Sequence, residues 1–162
     1  MKITKDPLMD SWELAESDQG ARRVQVRGLV PCEKTRILIA DDEESVRRVT
    51  TLVLKKDLGP AYEYDYAVNG EDAVRQFTQY HHKVILIDLS MPILGGEQAA
   101  DQIVDICEDA KWEVPSIIFR TGYDPPQNIR NIVSCDSAHC LLRKPVRNQT
   151  LVMAVRRRLG LK

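Results

Sequence analysis

The sequence predicts an α/β fold: a doubly wound parallel sheet of five strands with helices on both faces. Three observations predict it. Five short strand-like runs recur along the chain, four of them aliphatic and one an alternating tyrosine run. Stretches with helical apolar spacing separate them, and acidic, hydroxyl and lysine residues fall at the ends of the aliphatic runs. Alternation of this kind calls for a parallel sheet covered on both sides, joined by right-handed crossovers. The length of 162 residues holds one ordinary domain with a real core plus a modest extension.

Residues 1–34 differ in texture from the rest. They mix both charge signs with scattered apolar residues and no clear period, and they read as an N-terminal extension, flexible or loosely docked. Within it, "MDSWELAE" fits a short helix and "RRVQVRGLV" a short strand. From residue 35 to 162 the pattern is regular. "RILIA" (36–40) is a buried-strand candidate, followed by a helix with Val46, Val49 and Val53 near helical spacing and Gly59-Pro60 as its stop. "YEYDYAV" (62–68) alternates like a strand, and after a turn-like Asn69-Gly70 a helix sets Ala73, Val74 and Phe77 on one face. "KVILID" (83–88) is the third strand, and the next helix aligns Ala99, Ile103, Ile106 and Ala110. "VPSIIFR" (114–120) is the fourth strand. Asp124 opens a short helix whose first turn tolerates Pro125 and Pro126. "AHCLLR" (138–143) is the fifth strand, and the last helix turns Val152, Val155 and Leu159 inward.

Composition narrows the function classes. Hydrophobic content of 43% and charged content of 29% fit a globular protein. A net charge of −1 gives no electrostatic reason for nucleic acid or an anionic membrane as main partner. No apolar run approaches the ~18 residues of a membrane span, and the acidic N-terminus lacks the apolar centre of a signal peptide. The four cysteines show no ligand spacing and read as free thiols, which suits a cytoplasmic location. His81, His82 and His139 read as structural, and Arg156-Arg157-Arg158 as a solvated face.

The polar residues at the strand ends carry the chemistry. Asp41 and Asp42 follow the first strand, Asp88 ends the third, Thr121 the fourth and Lys144-Pro145 the fifth. In an open parallel sheet, ligands sit beyond these carboxyl ends. If the first and third strands are neighbours, three carboxylates converge. Like charges ~4 Å apart repel by roughly 4 kcal/mol at an effective dielectric of 20, so the cluster calls for a hard divalent cation, Mg²⁺ or Mn²⁺. Favourable charge at a helix start explains Glu43 and Glu44 well, but not Asp88 on another strand. A divalent ion, a lysine and a hydroxyl are the parts that hold a transferred phosphoryl group, and a carboxylate that accepts one forms an aspartyl-phosphate.

The stretches "ILIADDEESVRR", "AVNGEDAV", "VILIDLSMPILGG", "SIIFRTGYD" and "LLRKP" together resemble the receiver domain of two-component response regulators, over about residues 35–160. The resemblance implies the CheY-like (flavodoxin-like) strand order 2-1-3-4-5. It implies Asp88 as phosphoacceptor, Mg²⁺ held by Asp41, Asp42, Asp88 and the Ser90 backbone carbonyl, and Thr121 and Lys144 on the phosphoryl oxygens. It implies a sensor histidine kinase or histidine phosphotransfer protein as donor. Its output would be a partner protein or a homodimer through the face of the fourth helix, fifth strand and fifth helix. Such a domain catalyses only its own phosphorylation and dephosphorylation. The sequence departs from the family at Leu141, where receivers carry an aromatic residue that swings inward with the threonine. Tyr123 falls at the site mouth, and Gly95-Gly96 should let the loop after Met91-Pro92 turn. Two other readings stand beside this one. A pseudo-receiver would bind partners without phosphorylation. A phosphatase of the haloacid-dehalogenase type also forms an aspartyl-phosphate but needs a second Asp where Ser90 stands.

Overall fold

Every strand of the sheet is parallel to its neighbours, and the order is the expected 2-1-3-4-5. The computed structural model describes residues 34–162. The extension expected at 1–34, with its short helix and strand, lies outside the described residues apart from Lys34. The strands are β1 (Thr35–Ala40), β2 (Tyr62–Ala67), β3 (Val84–Asp88), β4 (Ser116–Thr121) and β5 (Cys140–Arg143). The helices are α1 (Glu44–Leu58), α2 (Gly70–Tyr80), α3 (Gly96–Ala110), α4 (Gln127–Cys135) and α5 (Asn148–Arg158). In the sheet, β1 lies between β2 and β3, and β4 between β3 and β5.

Strand periodicity builds two cores. Successive side chains point to opposite faces. Leu38, Ala40, Ile85, Ile87, Ile117 and Phe119 meet α2, α3 and α4 on one side. Ile37, Ile39, Val84, Leu86 and Ile118 meet Leu54 of α1 and Leu151 and Val155 of α5 on the other. All five residues of β3 are buried, as a central parallel strand requires.

Several helix faces differ in detail from the sequence expectation. In α1 the buried residues are Thr50, Thr51 and Leu54, whereas Val49 is exposed. Thr51 can face inward because its Oγ1 donates to Arg47 O at 2.8 Å and lies 3.1 Å from Tyr66 Oη. In α3, Ala99, Ala100, Ile103 and Cys107 are buried and Ala110 is exposed, a small rotation of the inward face. Asn69-Gly70 is a helix start rather than a free turn. Asn69 Oδ1 accepts from Asp72 N at 2.8 Å and Asp72 Oδ2 accepts from Val68 N at 3.2 Å, a reciprocal cap. Asp124 does not open α4, which begins three residues later behind Pro126. A residue followed by proline is held extended, which excludes Asp124 and Pro125 from the helix. Asp124 instead pairs with Arg143 and, at 3.9 Å, with Arg130.

A charged cluster closes the sheet at the end remote from the strand-end aspartates. Arg36 Nε and Nη2 grip Asp65 at 2.8 and 2.9 Å, and the buried His82 donates from Nε2 to Asp65 Oδ2 at 2.9 Å. Burial pulls the Asp65 carboxyl upward, but the bonds from Arg36 and His82 outweigh it and hold it below the usual carboxylate range. Burial pushes His82 below the ordinary histidine value against the pull of Asp65. Burial does the same to His139, whose Nδ1 accepts from Ile117 N at 3.1 Å. The unfolded chain therefore takes up protons below pH ~6.5 that the folded chain refuses, and stability falls as pH drops from there. The slope is at most about 1.4 kcal/mol per pH unit for each histidine. Urea unfolding at pH 7, 6 and 5 should show this decline, and His82→Gln should flatten it. A pH-independent stability over that window would refute the assignment.

Candidate functional site

β1 and β3 are adjacent, so the register that pairs Ala40 with Ile87 brings Asp41 beside Asp88. Carboxylate oxygens of Asp41, Asp42 and Asp88 lie within 4.8 Å of one another. Asp41 and Asp88 are buried, and Asp42 is exposed at the rim. Asp41 Oδ1 accepts from Glu43 N at 3.0 Å, and Arg47 Nη1 donates to the Asp41 and Asp42 carbonyls at 2.6 and 3.1 Å. These bonds hold the turn between β1 and α1 and leave the three carboxylates facing one point.

Lys144 completes the cluster from the end of β5. Its Nζ lies 2.9 Å from Asp88 Oδ2 and 3.4 Å from Asp41 Oδ2. Its backbone N donates to Thr121 O at 2.7 Å, which ties the ends of β4 and β5 together. The Lys144–Pro145 peptide is cis. Asp88 Oδ1 is buried and has no hydrogen-bond partner among the described residues. An orphaned carboxylate oxygen beside two more carboxylates is what a hard divalent cation satisfies, so the residues present fit Mg²⁺. Asp41, Asp42 and Asp88 would hold it.

Thr121 is buried at the end of β4, but its hydroxyl is engaged locally. Oγ1 accepts from Tyr123 N and donates to Tyr123 O, both at 3.0 Å. The Tyr123 ring itself is exposed. Leu141, paired with Phe119 in register, is half-buried against the α4-side core. Ser90 is exposed in the loop after β3.

The loop from Leu89 to Gly95 turns differently from the sequence expectation. Neither Gly95 nor Gly96 has positive φ; the left-handed residue is Ile93, at φ 69°. Gly96 is needed for closeness instead. A methyl group there would overlap the Asp88 carbonyl oxygen and stand 2.9 Å from its carbon. Ile93 is 75% exposed, so replacing it sacrifices little burial. The left-handed region costs an L-residue roughly 1–2 kcal/mol, and asparagine tolerates it far better than a β-branched side chain. Ile93→Asn should therefore raise stability by about 1 kcal/mol, read as a higher urea midpoint with an unchanged slope. A lower midpoint would contradict the account.

One site residue escapes a reading by motif. Arg120 pairs in register with Asp88 on the neighbouring strand, and its Nη1 stands 3.7 Å from Asp41 Oδ2. It closes the run "VPSIIFR" and precedes Thr121. A charged residue two positions past Ile118 in a buried strand was the available signal, because period two puts it on the same side as Asp88.

The chain is thus a doubly wound α/β domain with an acidic pocket and a lysine at its strand ends. The response regulator receiver domain family matches the chain over residues 37–156, and the chain belongs to that family. It acts within two-component signalling. It is 26% identical over 133 residues to the CAI-1 autoinducer sensor kinase/phosphatase CqsS of Vibrio cholerae, covering 80% of this chain and 18% of that protein. It is 34% identical over 70 residues to the transcriptional regulatory protein ResD of Bacillus subtilis, covering 43% of this chain and 28% of ResD. The chemotaxis protein CheY of Halobacterium salinarum is 25% identical over 119 residues, covering 74% of this chain and 92% of that protein. The chain thus spans a small part of CqsS and ResD and nearly all of that CheY. Among solved structures, the CheX-CheY-BeF3-Mg+2 complex of Borrelia burgdorferi shares the fold, with TM-score 0.64 and 17% identity over 79% of this chain and 90% of that one. Among the described residues, no helix is long and apolar enough to cross a membrane.

Proposed function

We propose that this chain is a phosphoacceptor receiver in which Asp88 takes a phosphoryl group from a phosphohistidine partner. The observation that carries this reading is the pairing of Asp88 Oδ2 with Lys144 Nζ at 2.9 Å while the buried Oδ1 remains unpaired beside Asp41 and Asp42. An Asp88 oxygen attacks the phosphorus, and the P–N bond breaks. Its electron pair returns to the imidazole nitrogen, which takes up a proton from solvent. When bound by Asp41, Asp42, Asp88 and the Ser90 carbonyl, Mg²⁺ or Mn²⁺ neutralises charge on the phosphoryl oxygens. Lys144 holds a phosphoryl oxygen by charge. Thr121 leaves the Tyr123 backbone to meet another.

The donor is a sensor histidine kinase or a histidine phosphotransfer protein, a reading supported by the likeness to the sensor kinase/phosphatase CqsS. The receiver occupies residues 35–162, with residues 1–34 as an extension to it. Output passes to a protein partner or a second copy through the face of α4, β5 and α5. The haloacid-dehalogenase alternative lacks its acid/base, because Ser90 stands where the second Asp belongs. The decisive experiment incubates the full chain with Mg²⁺ and acetyl phosphate and reads intact mass. One added phosphoryl group, stable in acid and labile in base, is expected. No adduct would favour a pseudo-receiver, and sustained turnover of many phosphoesters would favour an enzyme.

A further inference from the structure

Arg120 is a buried cation that the receiver reading does not use. Its side chain is 9% exposed, and neither Nε nor Nη1 has a hydrogen-bond partner among the described residues. Guanidinium groups are rarely buried without partners, because desolvating them is costly. What compensates here is the aspartate cluster. Nη1 stands 3.7 Å from Asp41 Oδ2, the oxygen that Lys144 also approaches. On the side of α1 and α5, Arg120 borders a cavity of about 270 Å³ whose other polar walls are Ser45, Thr50 and Asn148.

We infer that Arg120 is a resident counter-ion of the aspartate pocket, which competes with the divalent cation for Asp41 and withdraws into the adjoining cavity when the ion enters. The inference rests on the metal-dependent reading above. Three carboxylates against Lys144 and Arg120 leave one net negative charge; without Arg120 the pocket would carry two. One unit charge a few ångströms from a bound ion changes its affinity by about tenfold or more at intermediate dielectric. Arg120 therefore sets the ion affinity low and holds the carboxylates together before the ion enters. Ser45, Thr50 and Asn148 offer hydroxyl and amide oxygens to the withdrawn guanidinium, so the move exchanges one set of acceptors for another.

The test is calorimetric titration of the full chain with MgCl₂, using wild type, Arg120→Met and Arg120→Lys. Arg120→Met should bind Mg²⁺ at least about tenfold more tightly, and Arg120→Lys should stay within a few-fold of wild type. In EDTA the methionine variant should melt lower than wild type, and Mg²⁺ should raise its melting temperature by more. Should the methionine variant fail to fold, Arg120→Gln replaces it with the same expected gain. Equal or weaker Mg²⁺ binding by the neutral variants overturns the counter-ion role and leaves the metal reading standing. No Mg²⁺ binding by any form, wild type included, overturns both.

Discussion

The Asp88→Asn protein, incubated with Mg²⁺ and acetyl phosphate, should keep its unmodified mass while wild type gains one phosphoryl group. The amide oxygen of asparagine is far less nucleophilic than a carboxylate, so formation of the aspartyl-phosphate bond is lost outright rather than slowed. The fold should survive. The substituted amide keeps an oxygen for Lys144, whose Nζ approaches Asp88 Oδ2 at 2.9 Å in the native protein. The exchange also removes one of three like charges gathered within 4.8 Å. Melting should therefore stay within a few degrees of wild type, which separates lost chemistry from lost structure. Phosphorylation of Asp88→Asn at the wild-type level would place the acceptor elsewhere. Asp42, exposed at the same rim, would be the next carboxylate to test.

Gly96→Ala should be the most damaging single-methyl change near the site, costing about 3 kcal/mol. The added carbon meets backbone, not a side chain that can rotate away: the Asp88 carbonyl group, with Ile87 Cγ1 at 3.1 Å. Either α3 moves off the sheet or the end of β3 shifts. The second displaces Asp88 from Asp41 and Lys144, so phosphoryl incorporation should slow along with the loss of stability. Gly95→Ala is the control. Its methyl meets Gln98 Oε1 at 2.6 Å, the far end of a flexible side chain, and its nearest backbone atom is the Leu89 carbonyl oxygen at 3.2 Å, a tight contact but not an overlap. Gly95 already has ordinary negative φ. It should cost about 1 kcal/mol, the usual penalty for alanine at a helix N-cap where glycine is preferred, and so clearly less than Gly96→Ala. Urea unfolding of the two variants side by side reads the contrast. Equal costs would mean that close approach to Asp88 is not what Gly96 provides.

The site was legible to different depths. Asp41, Asp42, Asp88 and Lys144 each sit at or just past the end of an aliphatic run, so strand ends alone bring them to one edge of a parallel sheet. The structure gathers all four. Thr121 was legible as a position but not as a state: its hydroxyl is spent on the Tyr123 backbone, a local turn bond that residue type does not announce. Arg120 was hidden by its motif, because a strand-end arginine next to Thr121 reads as a boundary residue until the register sets it beside Asp88.

Alternation of aliphatic runs with helical spacing was enough for the class of fold, its five strands and the carboxyl-end edge where charges collect. The reason is that burial of strands on both faces is a local demand, met residue by residue. Strand adjacency, the rotation of each helix and the distances between charges are not local. Val49 turned outward and Thr50 inward because α1 meets the sheet as one rigid face. Gly96 serves closeness rather than turning because α3 begins against the carbonyl of Asp88. Arg120 faces the aspartate cluster because β1, β3 and β4 lie side by side, and that order comes from how the whole chain winds.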